Sequence, residues 1–101
     1  MNKVVNICGI PHTIIENEDV FDSDGTHMGQ IEYSKCIIRL NKDMSEAHKK
    51  ETLCHEMIHG MLFHMGYTEL NQDEKLVQAL GNAIYQAFDI KEIKQNDIEP
   101  E

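Results

Sequence analysis

Residues 55–59 read His-Glu-Met-Ile-His, and those residue types at that spacing constrain the chemistry of the 101-residue chain more than any other feature. On a helix, positions four apart leave the same face one turn apart, so the imidazoles of His55 and His59 can meet on a single ion. Zinc accepts such nitrogen ligands readily. Glu56 is rotated from His55 by about 100°, which keeps it off the ion and near a water molecule there, in the place of a general base. Zinc brings the pKa of such a water toward about 7 and polarises a carbonyl oxygen. Glu56 then takes the proton as the carbonyl is attacked and returns it to the leaving amine.

A catalytic zinc ordinarily has a third protein ligand. His48 lies seven residues before His55, roughly 10 Å along a helix, which is too far to share the ion and makes it a surface histidine. His64 follows His59 by five and points elsewhere, toward packing or solvent. Glu74 opens a second helical pattern, and an antiparallel return through Gly66-Tyr67-Thr68-Glu69-Leu70 carries it back toward His59. The competing role is local, because Asn71-x-x-Glu74 is also a capping-box spacing. We favour Glu74 as ligand, with Asp73 as its substitute. Tyr67 and Tyr85 can each stabilise an oxyanion, although packing is the better account of both.

The elements that must position these groups fall into two runs. Lys3 to Cys8 is a Val/Ile-rich strand ending at the turn signal Gly9-Ile10-Pro11, with a second strand at Thr13-Ile14-Ile15. Asp22-Ser23-Asp24-Gly25 is a turn rather than a calcium loop, since Val20 and Ile31 stand where such a loop needs carboxylates. Further strands are expected where Ile31 and Tyr33, then Cys36, Ile38 and Leu40, alternate with other residues. From Asp43 the pattern becomes helical. Asp43 with Glu46, or else Ser45, caps a helix over about residues 45–65 that stops at Gly66. Cys54, Met57, Ile58, Met61 and Met65 give its second half an apolar surface on most sides. A second helix from about Asn71 to Phe88 carries Leu76, Val77, Leu80, Ile84, Ala87 and Phe88 toward the first. Gly81 within it fits close helix packing or is incidental.

This is an α+β chain in one domain, residues 1–95, followed by a flexible acidic tail over 96–101. Its hydrophobic content of 41% is that of a globular protein. Eighteen acidic against nine basic side chains give a charge of −9, which disfavours nucleic acid as a partner. Lys49-Lys50 is read as a solvated helix start. No apolar run suits a secretory signal or a membrane span, so a cytoplasmic location is expected. Cys8, Cys36 and Cys54 have no C-x-x-C spacing and are read as buried small apolar residues.

Several segments together resemble a known family: Cys36-Ile37-Ile38-Arg39-Leu40, then Glu51 to Gly60 around the paired histidines, then Glu74 to Gln86. Over about residues 28–88 the chain is similar to the short zincin-like proteins of phages and integrative elements, akin to the ImmA/IrrE-type metallopeptidases. The resemblance implies a minimal zincin-like fold with a small antiparallel sheet of three or four strands. That sheet packs on an active-site helix and a second, antiparallel helix that supplies Glu74 as ligand. It implies zinc on His55, His59 and Glu74, Glu56 as base, and hydrolysis of a protein or peptide inside the cell, with the strand around residues 36–40 holding the substrate as an edge strand. The family's larger members carry segments this chain lacks. The alternatives are a non-catalytic, metal-stabilised binding module of a phage or mobile element and a metal-free interaction protein.

Overall fold

The computed structural model describes residues 3–17, 28–91 and 93–94. Four strands precede the helices: β1 (Lys3–Ile7), β2 (Ile10–Asn17), β3 (Gly29–Glu32) and β4 (Ile37–Asn41). Then come α1 (Glu46–Met65), the single turn α2 (Thr68–Asn71), α3 (Glu74–Ala87) and a short β5 (Ile93–Lys94). The expected α+β architecture, a small sheet packed on two antiparallel helices, is present and compatible with a minimal zincin-like domain. The Asp22–Gly25 turn and the 96–101 tail lie outside the described residues.

Within the sheet the strand order is β3-β4-β2-β1-β5. It is mixed rather than antiparallel, because β4 returns beside β2 in parallel register, Thr13 against Ile37 through Asn17 against Asn41. As a consequence β4 is paired on both sides, and the strand around residues 36–40 is not an edge. β3 is the edge strand on that side of the sheet, and it runs beside α1.

Local chemistry accounts for the ends of these elements. Cys8 (φ 52°) and Gly9 (φ 79°) both have positive φ, the requirement of a two-residue hairpin that matches the strand twist. Ile10 and Pro11 therefore belong to β2 rather than to the turn. Pro11 is tolerated because pairing with β4 begins only at Thr13, so its missing N–H interrupts no ladder. The turn position also leaves Cys8 exposed, contrary to the buried role expected of all three cysteines; Cys36 is half-buried and Cys54 buried. Tyr33–Lys35 forms a 3-10 turn and Cys36 has φ 55°, so the alternation read through them is broken between β3 and β4.

Ser45 caps α1, its Oγ accepting the N–H of His48 at 3.1 Å. Gly66 closes the helix with φ 85°. Val5, Ile7, Ile14, Ile38 and Leu40 of the sheet meet Leu53 and Met57 in the main core, and Ile58 and Leu62 pack on Val77 of α3 in a second cluster. Met65 and Phe88, assigned by periodicity to apolar faces, are exposed because each stands at a helix end, past the neighbouring element. Lys49 is more than a solvated side chain: its ammonium group lies 2.7 Å from the Glu16 carboxylate and ties α1 to β2. No helix among the described residues is long and apolar enough to cross a membrane.

One buried group, absent from the sequence reading, links β2 to the end of α1. His12 is fully buried, its Nδ1–H donates to the Ile10 carbonyl at 2.8 Å, and its Nε2 lies 3.4 Å from Nε2 of His64. Burial holds the His12 pKa below the ordinary value of 6.5; the Ile10 bond opposes this shift and the nearby His64 adds to it. As the pH falls past 6.5, the unfolded chain therefore takes up this proton before the native one does. Stability from His12 is complete above that value and is lost as the pH falls toward the lowered native pKa. We predict a thermal midpoint, measured with chelator present to exclude metal release, that drops as the pH falls below 6.5. In His12→Asn the drop is shallower.

Candidate metal centre

Two helices meeting at a glycine create the site. A Cβ built on Gly81 falls 3.2 Å from both the nitrogen and the Cα of His55, so α3 lies against the backbone of α1 at the first histidine. The sequence left the role of Gly81 open between close packing and accident; this contact decides for packing. The antiparallel course of α3 then brings its first turn back beside His59.

Asp73, not Asn71, is the cap of α3, its Oδ1 accepting the N–H of Leu76 at 3.1 Å. The helix therefore starts at Glu74 rather than near Asn71. The capping-box alternative for Glu74 fails for the same reason, and Asp73 is occupied as a cap rather than standing among the converging ligand atoms. Glu74 Oε1 lies 3.1 Å from His55 Nε2, and Oε2 lies 3.0 Å from His59 Nε2. These three residues are the group among the described ones that can hold a metal ion, with ligand atoms all within 4.8 Å of one another. A tetrahedral zinc with bonds of about 2.0–2.2 Å separates its ligand atoms by roughly 3.3–3.5 Å, close to the spacings found.

Hydrogen-bond accounting supplies the test of fit. His55 Nδ1–H donates to Gln78 Oε1 and His59 Nδ1–H to Asn71 Oδ1, each at 2.7 Å. In the neutral rings both Nε2 atoms are thereby left as lone-pair acceptors, and both face a carboxylate that is an acceptor too. Three acceptors converging on one point need a proton or a metal ion among them. A divalent ion satisfies all three at once, and amide partners on the outer nitrogens are the kind of support metal-bound imidazoles use. The His2Glu donor set fits zinc.

Gln78 and Asn71 are the residues that reading the sequence missed in these roles. A signal for Gln78 existed: it stands four after Glu74, the same interval as His55 to His59, so the two helices present matching pairs. Asn71 carried no such signal, because α2 had been read as part of the loop and of a longer second helix.

The imidazoles are mostly enclosed, with side chains 17% and 12% exposed, whereas Glu74 is 66% exposed. The site opens to solvent on the α3 side. Glu56 is buried on the other side, where Gly29 of the edge strand leaves room for it: a Cβ there falls 3.2 Å from Glu56 Cγ and 2.6 Å from Thr52 Cγ2. His48 is exposed near Glu51, as expected of a surface residue, and His64 packs on His12 and Phe63. Tyr67 is exposed on the α1–α2 turn. Tyr85 is eleven residues beyond Glu74, roughly 16 Å along α3, and neither tyrosine has a bond to this group.

Against known proteins, the model of the SprT-like family matches residues 12–99, a span that includes His55, Glu56, His59 and Glu74. No curated protein and no solved structure matches the chain.

Two substitutions test the arrangement. Gly81→Ala gains about 1 kcal/mol of helix propensity, but the added methyl meets backbone that cannot rotate away, at an overpacking cost of about 1–3 kcal/mol. We expect no net gain in thermal stability and a weakened zinc affinity by titration. Gln78→Leu removes the acceptor for His55 and is expected to cost about 10–100-fold in zinc affinity, measured against a competing chelator.

Proposed function

The chain belongs to the SprT-like family, zincin-like and related to metallopeptidases, and from that premise we propose that it is a zinc-dependent peptidase acting on a protein or peptide substrate. The observation that carries this reading is the meeting of Glu74 with both imidazoles while Glu56 stands beside them, outside the ligand set. In this proposal His55, His59 and Glu74 hold the ion, and Gln78 and Asn71 fix the two rings so that each presents Nε2. When bound, zinc supplies Lewis acidity that polarises the scissile carbonyl and eases deprotonation of water.

The remaining work falls to the chain's own groups. Glu56 accepts the proton of the attacking water and carries it to the leaving amine. Its burial against β3 shields it from bulk water, while the solvent-facing side near Glu74 leaves a path for substrate. An extended peptide adds to β3 along the side that pairs with no strand among the described residues, where its backbone offers hydrogen bonds next to Glu56. This replaces the strand at residues 36–40, which is interior. The net charge of −9 supports a protein rather than a nucleic-acid partner. A cytoplasmic location, kinship with ImmA/IrrE-type peptidases and an origin in a phage or mobile element extend the same reading, on the segments that carry the resemblance.

Metal analysis of the purified protein should find one zinc per chain, lost in His59→Ala; an unmutated protein without zinc sinks the proposal. Cleavage is then mapped by mass spectrometry in a denatured cellular proteome. Glu56→Gln should keep its zinc and lose about 10²–10⁴-fold in rate. Undiminished effects in that variant, with zinc retained, favour the non-catalytic binding module instead.

A further inference from the structure

β3 and the turn after it run along α1 in a fixed register. Gly29 meets Thr52 and Glu56, and Ile31 reaches the place a Cβ would take on Gly60. Tyr33, the next residue on that side, stacks on Phe63 with ring centroids 4.2 Å apart and planes 13° apart. Gly29 and Ile31 of the edge strand, then Tyr33 of the turn after it, thus follow the helix past Glu56 and His59. Its hydroxyl oxygen accepts the Nδ2–H of Asn71 at 3.0 Å, and the same amide accepts His59 Nδ1–H through its oxygen. The chain of bonds runs His59 to Asn71 to Tyr33, each donating to the next, and ends on the phenol.

That direction leaves the phenol hydrogen with no acceptor among the described residues, on a group tied through one amide to the outer nitrogen of His59. Neither support of Asn71 nor packing on Phe63 uses this hydrogen: the first needs the oxygen lone pair and the second needs the ring. Resting on the peptidase reading above, we infer that Tyr33 is a catalytic residue, its O–H donating a hydrogen bond to the scissile carbonyl oxygen as negative charge develops there. The proton stays on the phenol throughout, so no bond to it is made or broken. Burial pushes the Tyr33 hydroxyl above its ordinary pKa, the Asn71 bond works against this, and the charges of Glu56 and Glu74 add to it, so the group remains a donor at neutral pH. A peptide laid along β3 passes Glu56 before it reaches Tyr33, which puts base and donor along one substrate track.

Tyr33→Phe keeps the ring and its stack while removing the O–H. The experiment compares it with the unmutated protein in zinc content, in turnover of a peptide mapped from the proteome digest, and in calorimetric binding of two ligands. One is that peptide, bound to the Glu56→Gln background; the other is its phosphinic analogue, which imitates the tetrahedral transition state. The expected result is zinc retained, peptide affinity and KM changed by less than about threefold, and kcat and phosphinic affinity both lowered by about 10²–10³-fold, as for loss of one oxyanion donor.

Equal phosphinic affinity with and without the hydroxyl overturns the inference. So does a loss of zinc that accounts for the whole effect, since Tyr33 then only positions His59 through Asn71. A measurement independent of folding of the variant is the ¹³Cζ resonance of Tyr33 in the unmutated protein, assigned by elimination with Tyr67→Phe and Tyr85→Phe. It should shift on adding the phosphinic peptide, and an unmoved signal at saturation overturns the role. Absence of zinc or of any cleavage in the unmutated protein overturns the peptidase reading itself, and this inference with it.

Discussion

Two imidazole nitrogens and a carboxylate pointing at one spot form an arrangement that needs a proton or a metal ion at its centre. Much of the surrounding structure holds that arrangement in place. The outer nitrogens of His55 and His59 are held by the amide oxygens of Gln78 and Asn71, so both rings present Nε2 to Glu74. The Asp73 cap places Glu74 in the first turn of α3, and Gly81 lets α3 lie against the backbone at His55. The cost of gathering acceptors is borne by the packing between the helices, and a bound ion returns it as affinity and as stability of the folded chain.

The other wall of the site is the sheet edge. Gly29 has no side chain where Thr52 and Glu56 approach, so β3 sits directly against the helix that carries the ligands. This gives the two glutamates different surroundings: Glu56 is 4% exposed beneath the strand, while Glu74 faces solvent from the helix side. An exposed carboxylate against two imidazoles and an enclosed one beside them suit the separate roles of ligand and base in the proposed site. The same strand continues into Tyr33, and through Asn71 the edge that can hold an extended peptide is bonded to the ring of His59. The edge strand and the candidate metal site are therefore parts of one hydrogen-bonded unit rather than neighbours by chance.

The sequence by itself determined the parts whose cause is local. The i, i+4 spacing put both imidazoles on one face of α1, and the same helical geometry turned Glu56 away from them; Ser45 and Gly66 marked the ends of that helix through their own backbone preferences. The choice of Glu74 over Asp73 was favoured in advance but not closed, because it depends on which residue caps α3, a matter of one backbone bond to Leu76. Sheet order was beyond reach: parallel return of β4 beside β2 is a long-range pairing, and alternation of side chains reads the same in an edge strand as in a central one. Tyr33, His12, Asn71 and Gln78 were hidden for the same reason. Their partners are Asn71, His64, His59 and His55, 38, 52, 12 and 23 positions away, and a polar side chain's partner at that distance is fixed only when the packing of whole elements brings the two together.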